Sequence, residues 1–200
     1  MTGRYQEALS IMKSAQSEPG LQRQHNQAIL LAGLSPICMM EADEFMLQKT
    51  AARLLQLGNE TGLPAYCSWG RLYLACSHYM RNDLEEAERI IAPHLEDRYL
   101  MYPDVVMDGA VILSLCHQQL GRPQEARDVA DAFYQHALET DHPGLQIAAQ
   151  AFQAELALRQ GRRDEAIAWA RAFEPRDLYA HYFFFFPELT LVKVLIIEDT

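Results

Sequence analysis

Apolar residues recur along this chain with the period of a helix. Leu84, Ala87, Ile90, Ile91 and Leu95 lie at such intervals, as do Ala126, Val129, Ala130 and Phe133, and then Ala166, Ile167, Trp169, Ala170 and Phe173. Each set makes one stripe along a helix, and such a stripe needs a neighbouring element to cover it. The three stripes open on variants of one phrase, "NDLEEAE" (82–88), "GRPQEAR" (121–127) and "GRRDEAI" (161–167), and "GRYQEAL" (3–9) is a fourth copy. Asn82 and Gly121 are 39 positions apart, Gly121 and Gly161 are 40, and Gly3 precedes Asn82 by 79, two such steps. A degenerate copy is therefore expected near residue 43, where "EADEFMLQKTAARLL" starts a helical pattern without the diagnostic alanine.

The chemistry of the phrase is that of a helix-turn-helix joint. Gly or Asn tolerates the left-handed backbone that ends one helix, and acidic residues favour the positive end of the next. Prolines mark the other end of the unit: Pro64, Pro103 and Pro143 recur at steps of 39 and 40, and proline suits the first position of a helix. The unit is thus a helix of about 17 residues, a turn, a second helix of about 12 to 17, and a linker. The β-favouring runs 182–186 and 191–197 fall at helix positions of this register. The expected fold is all-α, a right-handed superhelix of stacked antiparallel helix pairs with a period of 39–40, running through residues 1–200 as a single solenoid.

Composition narrows the function. A net charge of −10, with Lys and Arg scattered, provides no basic stripe for a phosphate backbone, so direct nucleic-acid binding is not expected. Cys38, Cys67, Cys76 and Cys116 form no zinc-ligand spacing and sit among apolar helix formers, which reads as reduced, buried and cytoplasmic. His181, Glu188 and Lys193 interrupt the most apolar region before it reaches the 18 to 20 residues, roughly, that cross a bilayer. No apolar leader opens the chain.

Three of the turns resemble the tetratricopeptide repeat, with small residues Ala75, Ser114 and Ala154 in the first helices and Ala87, Ala126 and Ala166 in the second. The period exceeds the usual one of about 34. In this it resembles the helical repeat region of the maltose-regulon activator MalT and related LuxR-type, ATP-dependent bacterial regulators, where "GRRDEAIAWAR", an aromatic linker and "PELTLVKVLI" form a familiar kind of phrase. The resemblance implies a non-catalytic sensor or protein-interaction segment of a larger signalling protein. No phosphate loop or DNA-binding helix-turn-helix accompanies it. Gly3 begins halfway through a repeat and "LTLVKVLIIEDT" is a first helix without its second, as expected of an excised fragment.

In tetratricopeptide arrays the first helices line a concave groove. Carried over by position, the resemblance implies groove residues Trp69, Leu72, Cys76, Tyr79 and Met80, then Asp108, Val111, Leu115, Gln118 and Gln119, then Ala148, Ala151, Glu155 and Arg159. Their mixture of aromatic, thioether, amide and charged groups suits an amphipathic peptide, protein surface or small effector. They lack the dense Lys and Arg that grip a peptide carboxylate. His78 and His117 share a repeat position near Cys76 and Cys116, but stacked helices lie about 8 to 10 Å apart, too far for shared ligation, so no metal is expected. His136, Asp141 and His142 read as helix-end groups, with His satisfying carbonyls and Asp capping. No GxSxG, HExxH or phosphate cradle is present, so neither catalysis nor a cofactor is expected. A free-standing scaffold or peptide-binding repeat protein is the alternative reading.

The run Phe183–Phe186 before Pro187 falls in the last linker. Its counterpart "EDRYLMYP" (96–103) is also aromatic, and both are expected to fold back over the seam between helix pairs. Two of the four rings should be buried, with the remainder and the terminal helix available for self-association.

Overall fold

The structure, a computed structural model, describes Ser10, residues 24–174 and residues 184–198. Gly3 and its phrase, and Phe183, lie outside these residues. Nine α-helices occur among the described residues: α1 (Gln24–Met40), α2 (Glu44–Thr61), α3 (Pro64–Met80), α4 (Leu84–Glu96), α5 (Pro103–Gln119), α6 (Pro123–Glu139), α7 (Pro143–Arg159), α8 (Arg163–Ala172) and α9 (Pro187–Glu198), with one 3-10 turn at Arg98–Leu100. The architecture is all-α, an α-solenoid type of stacking of antiparallel helix pairs, with no strand among the described residues. The chain divides into two compact units, Met1–Tyr102 and Pro103–Thr200, a division the even repeat spacing does not announce.

The repeat register is carried by the turns. Ala42, Asn82, Gly121 and Gly161, each after a first helix, all take positive φ, at 55°, 62°, 75° and 76°. In each, the N–H of the next residue reaches back to the carbonyl five positions earlier: Asp43 to Cys38, Asp83 to His78 and Arg122 to His117 at 2.9 Å, and Arg162 to Ala157 at 2.8 Å. These bonds satisfy carbonyls that a helix end leaves unpaired. The degenerate copy thus keeps the turn with an alanine where Gly or Asn is easier. Asp43 caps α2, its carboxylate accepting from the N–H of Met46 at 3.1 Å.

Small residues decide how closely the helices of each pair approach. Ala87, Ala126 and Ala166 are fully buried, opposite the equally small Ala75, Ser114 and Ala154. The Ser114 hydroxyl donates to the Ala126 carbonyl at 2.8 Å, a contact only a short side chain permits. The first pair has Leu47 in the alanine column and Ser35 in the facing one, where the Ser35 hydroxyl donates to Thr50 at 3.0 Å. Ala126→Leu or Ala166→Leu is expected to overpack the joint and destabilise by about 1 to 3 kcal/mol. Urea unfolding checks this, and midpoints equal to the parent's would overturn the register.

In the first unit α2 and α3 approach most closely, through Gly58 and Gly70. A methyl group at Gly70 would lie 2.7 Å from the Leu55 nitrogen and 2.9 Å from the Ala51 oxygen; one at Gly58 would run into the sulfur and main chain of Cys67. In the second unit, Ala154, Ala157, Ala166, Ala170 and Val194 form an alanine-lined core where α7, α8 and α9 meet. Phe185 is buried edge-on against Phe152, ring centroids 5.4 Å apart, while Phe184 is half-buried and Phe186 exposed. Of the three described rings of the run, Phe185 is the one fully in the core; the fourth, Phe183, lies outside the described residues. In the other aromatic linker, Tyr99 and Tyr102 are 57% and 51% exposed. On α9, Leu189, Val192 and Ile196 are exposed, whereas their α7 equivalents counted from the opening proline, Leu145, Ala148 and Phe152, are buried.

Candidate functional site

In the first unit four rings stand in a row, one on α1, two on α3 and one in the linker before Pro103. Trp69 of α3 stacks on Tyr66 at 6.1 Å and on Tyr102 at 5.3 Å, the second pair only 7° from parallel. His25 of α1 extends the row, its ring 6.0 Å from Tyr66 and its Nδ1 hydrogen-bonded to the Tyr66 hydroxyl. Trp69 and Tyr79 are half-buried and Met80 is exposed, so these three expected groove residues offer surface. Leu72 and Cys76, at 2% and 1% exposure, belong to the core with Tyr73 and Ala75 and offer none. A helix held by neighbours on several sides buries a wider arc than a two-helix picture suggests.

In the second unit the expected groove positions are mostly covered. Asp108, Val111 and Leu115 of α5 and Ala148 and Ala151 of α7 are buried. Gln118 is half-buried and accepts from the Gln160 amide at 2.7 Å, and Gln119 is exposed. Glu155 of α7 is 4% exposed and fully engaged. One oxygen accepts from Arg159 Nε at 2.9 Å and Lys193 Nζ at 2.8 Å, the other from the Thr190 hydroxyl at 3.2 Å. Burial acts to raise its pKa, but the hydrogen bond from Lys193 and the charge of Arg159 prevail and hold it below the ordinary carboxylate value. Glu155 and Arg159 thus fasten α9 to α7, and α9 occupies the side on which the resemblance placed a ligand.

Two clefts lie elsewhere, each over a first helix and between the second helices that flank it. In the second unit a cleft of 530 Å³ runs over α7 between α6 and α8, lined by Arg127, Asp131, Gln153, Arg162, Glu165 and Trp169 among others. Its polar groups largely serve one another: Gln153 donates to Asp131 and Arg127 to Gln160, both at 2.7 Å, and Arg162 pairs with Glu165. In the first unit a cleft of 390 Å³ runs over α3 between the ends of α2 and α4. None of the expected groove residues lines either cleft.

The first-unit cleft contains a residue that breaks the repeat. Aligned on the turns, His94 of α4 falls in the column of Leu54, Phe133 and Phe173. It is 4% exposed, and its buried Nε2 has no hydrogen-bond partner. Burial, aided by the nearby Arg71 charge and opposed by Asp97, pushes its pKa down to about 4, so the imidazole is neutral at physiological pH. The column is visible in the sequence; reading the α4 stripe through to Leu95 passes over it. Cys67 lines the same cleft half-exposed, which corrects the expectation that every cysteine is buried, and its thiol reaches Asn59 Oδ1 at 3.7 Å.

The remaining candidates have local roles. His78 Nδ1 meets Asp83 at 2.9 Å, and among the described residues no group of three His, Cys, Asp or Glu converges on a metal position. At the α6–α7 turn the roles of two residues exchange. His142 is the cap, its Nδ1 accepting from the Leu145 N–H at 3.1 Å, while Asp141 takes the left-handed backbone at φ 48°.

Two stretches, residues 109–132 and 147–172, match the tetratricopeptide repeat family. They fall on α5–α6 and α7–α8, each running from within a first helix into its second. No curated protein and no solved structure is significantly similar to the chain.

Proposed function

We propose that this chain is the non-catalytic sensor and protein-interaction segment of a bacterial, cytoplasmic signal-transduction ATPase or LuxR-type transcriptional regulator, docking a peptide or protein on its first-helix face. Support for interaction comes from the tetratricopeptide match and from the helix pairs themselves. Among the described residues no helix is long and apolar enough to cross a membrane.

The observation that carries the docking surface is the row His25–Tyr66–Trp69–Tyr102, whose outer member is 51% exposed. Large rings with few rotatable bonds are the groups that concentrate binding energy at interfaces. The exposed apolar side of α9 is where we place self-association. Trp69→Ala is expected to weaken a peptide selected on the chain from a displayed library by about 2 kcal/mol, roughly thirtyfold. Fluorescence anisotropy reads this, and unchanged affinity would remove the row from the binding surface. The regulator context is decided by the natural gene: a phosphate loop encoded upstream and a DNA-binding or cyclase module downstream are expected. A gene product with neither would leave the alternative, a free-standing repeat scaffold.

A further inference from the structure

The first-unit cleft contains two opposite charges with nothing to hold. Arg71 of α3 and Asp97 after α4 both line it, both are exposed, and among the described residues neither side chain makes a hydrogen bond or ion pair, with each other or with a third group. Both act on His94, in opposite senses, so the imidazole lies within the field of each. The fold leaves His94 Nε2 unpartnered there, at a position where the other repeats put Leu or Phe. A buried polar atom without a partner is costly, and this one gains a partner when a polar group enters the cleft. Leu63, Pro64 and Met101 add apolar surface beside the charges.

We propose that this cleft binds a free α-amino acid with an apolar side chain. The carboxylate would pair with Arg71, the ammonium with Asp97, and the side chain would lie on Leu63, Pro64 and Met101, with the polar end against His94. A zwitterion satisfies both unpaired charges at once. A simple carboxylate or amine satisfies one and leaves the other facing it. The volume, 390 Å³, lies within the range of small-molecule sites. This site is separate from the aromatic row and does not depend on it.

Isothermal titration calorimetry of the full chain with leucine, methionine and phenylalanine tests the proposal, with acetyl-leucine and leucine amide as single-charge controls. At least one free amino acid should bind at one site per chain, and blocking either end should weaken it roughly tenfold or more, the value of one charge-assisted contact. Arg71→Gln and Asp97→Asn, both at exposed positions, should cause similar losses while thermal melting shows the fold intact. No binding by any of the three amino acids would overturn the proposal. So would binding that both variants retain, or binding by acetyl-leucine as tight as by leucine.

Discussion

Gly70→Ala is expected to destabilise the first unit by about 3 kcal/mol, at the upper end of what one added methyl group costs in a packed interior. The reason is what the methyl would meet. At Gly70 it would stand 2.7 Å from a backbone nitrogen and 2.9 Å from a backbone oxygen of α2, and neither can rotate away. The helices must separate, and separation loosens Ala51, Leu54 and Leu57, all fully buried. Gly62→Ala is the control: its methyl would meet nothing within 4 Å, so only the strain of φ 68° remains, about 1 to 2 kcal/mol. Urea unfolding should rank Gly70→Ala as clearly the more damaging. The reverse order would mean that α2 and α3 do not cross at these glycines.

The second large effect is a loss of stability in acid that His94→Phe removes. The folded pKa of His94 is about 4 against an ordinary 6.5. Above pH 6.5 neither folded nor unfolded chain holds a proton there, and stability is complete. Between 6.5 and 4 the unfolded chain takes up the proton and the folded one does not, so stability falls with pH. Full burial would make this about 3 kcal/mol; for a side chain at the margin of a cleft, roughly 2 is expected. The charges facing His94 are Arg71 from α3, which strengthens the effect, and Asp97, which weakens it. Glu155, whose carboxyl is held below the ordinary range, costs stability in the same direction at lower pH, so the wild type must be compared with His94→Phe from pH 7 to 5. The variant should also be more stable at pH 7, because Phe restores the repeat column and removes an unpaired polar atom. Parallel pH curves for the two proteins would place His94 outside the low-dielectric interior.

Helix starts were legible because a proline needs no partner for the N–H it lacks: Pro64, Pro103, Pro143 and Pro187 each open a helix. The alanine column was legible because small residues at a fixed step have one use, close approach. The crossing at Gly58 and Gly70 was not, since a glycine inside a helical pattern reads as weak propensity until the partner backbone is seen. Nor was the burial of Leu72, Val111 and Glu155. A repeat pattern defines which side of a helix faces its pair, but not which neighbours close over the remaining sides. The clefts lie over first helices between the second helices that flank them, and there one histidine in a column of Leu and Phe is the signal the sequence carries.

Gly58 has a role in that cleft as well as in the crossing. It lies on the cleft lining and has no side chain, so part of the floor is bare main chain. That part of the lining has no rotamers with which to reshape itself around a guest. Its entropy of organisation was already spent when the chain folded, and selectivity falls to the side chains around it, among them Arg71, Asp97, His94 and Met101.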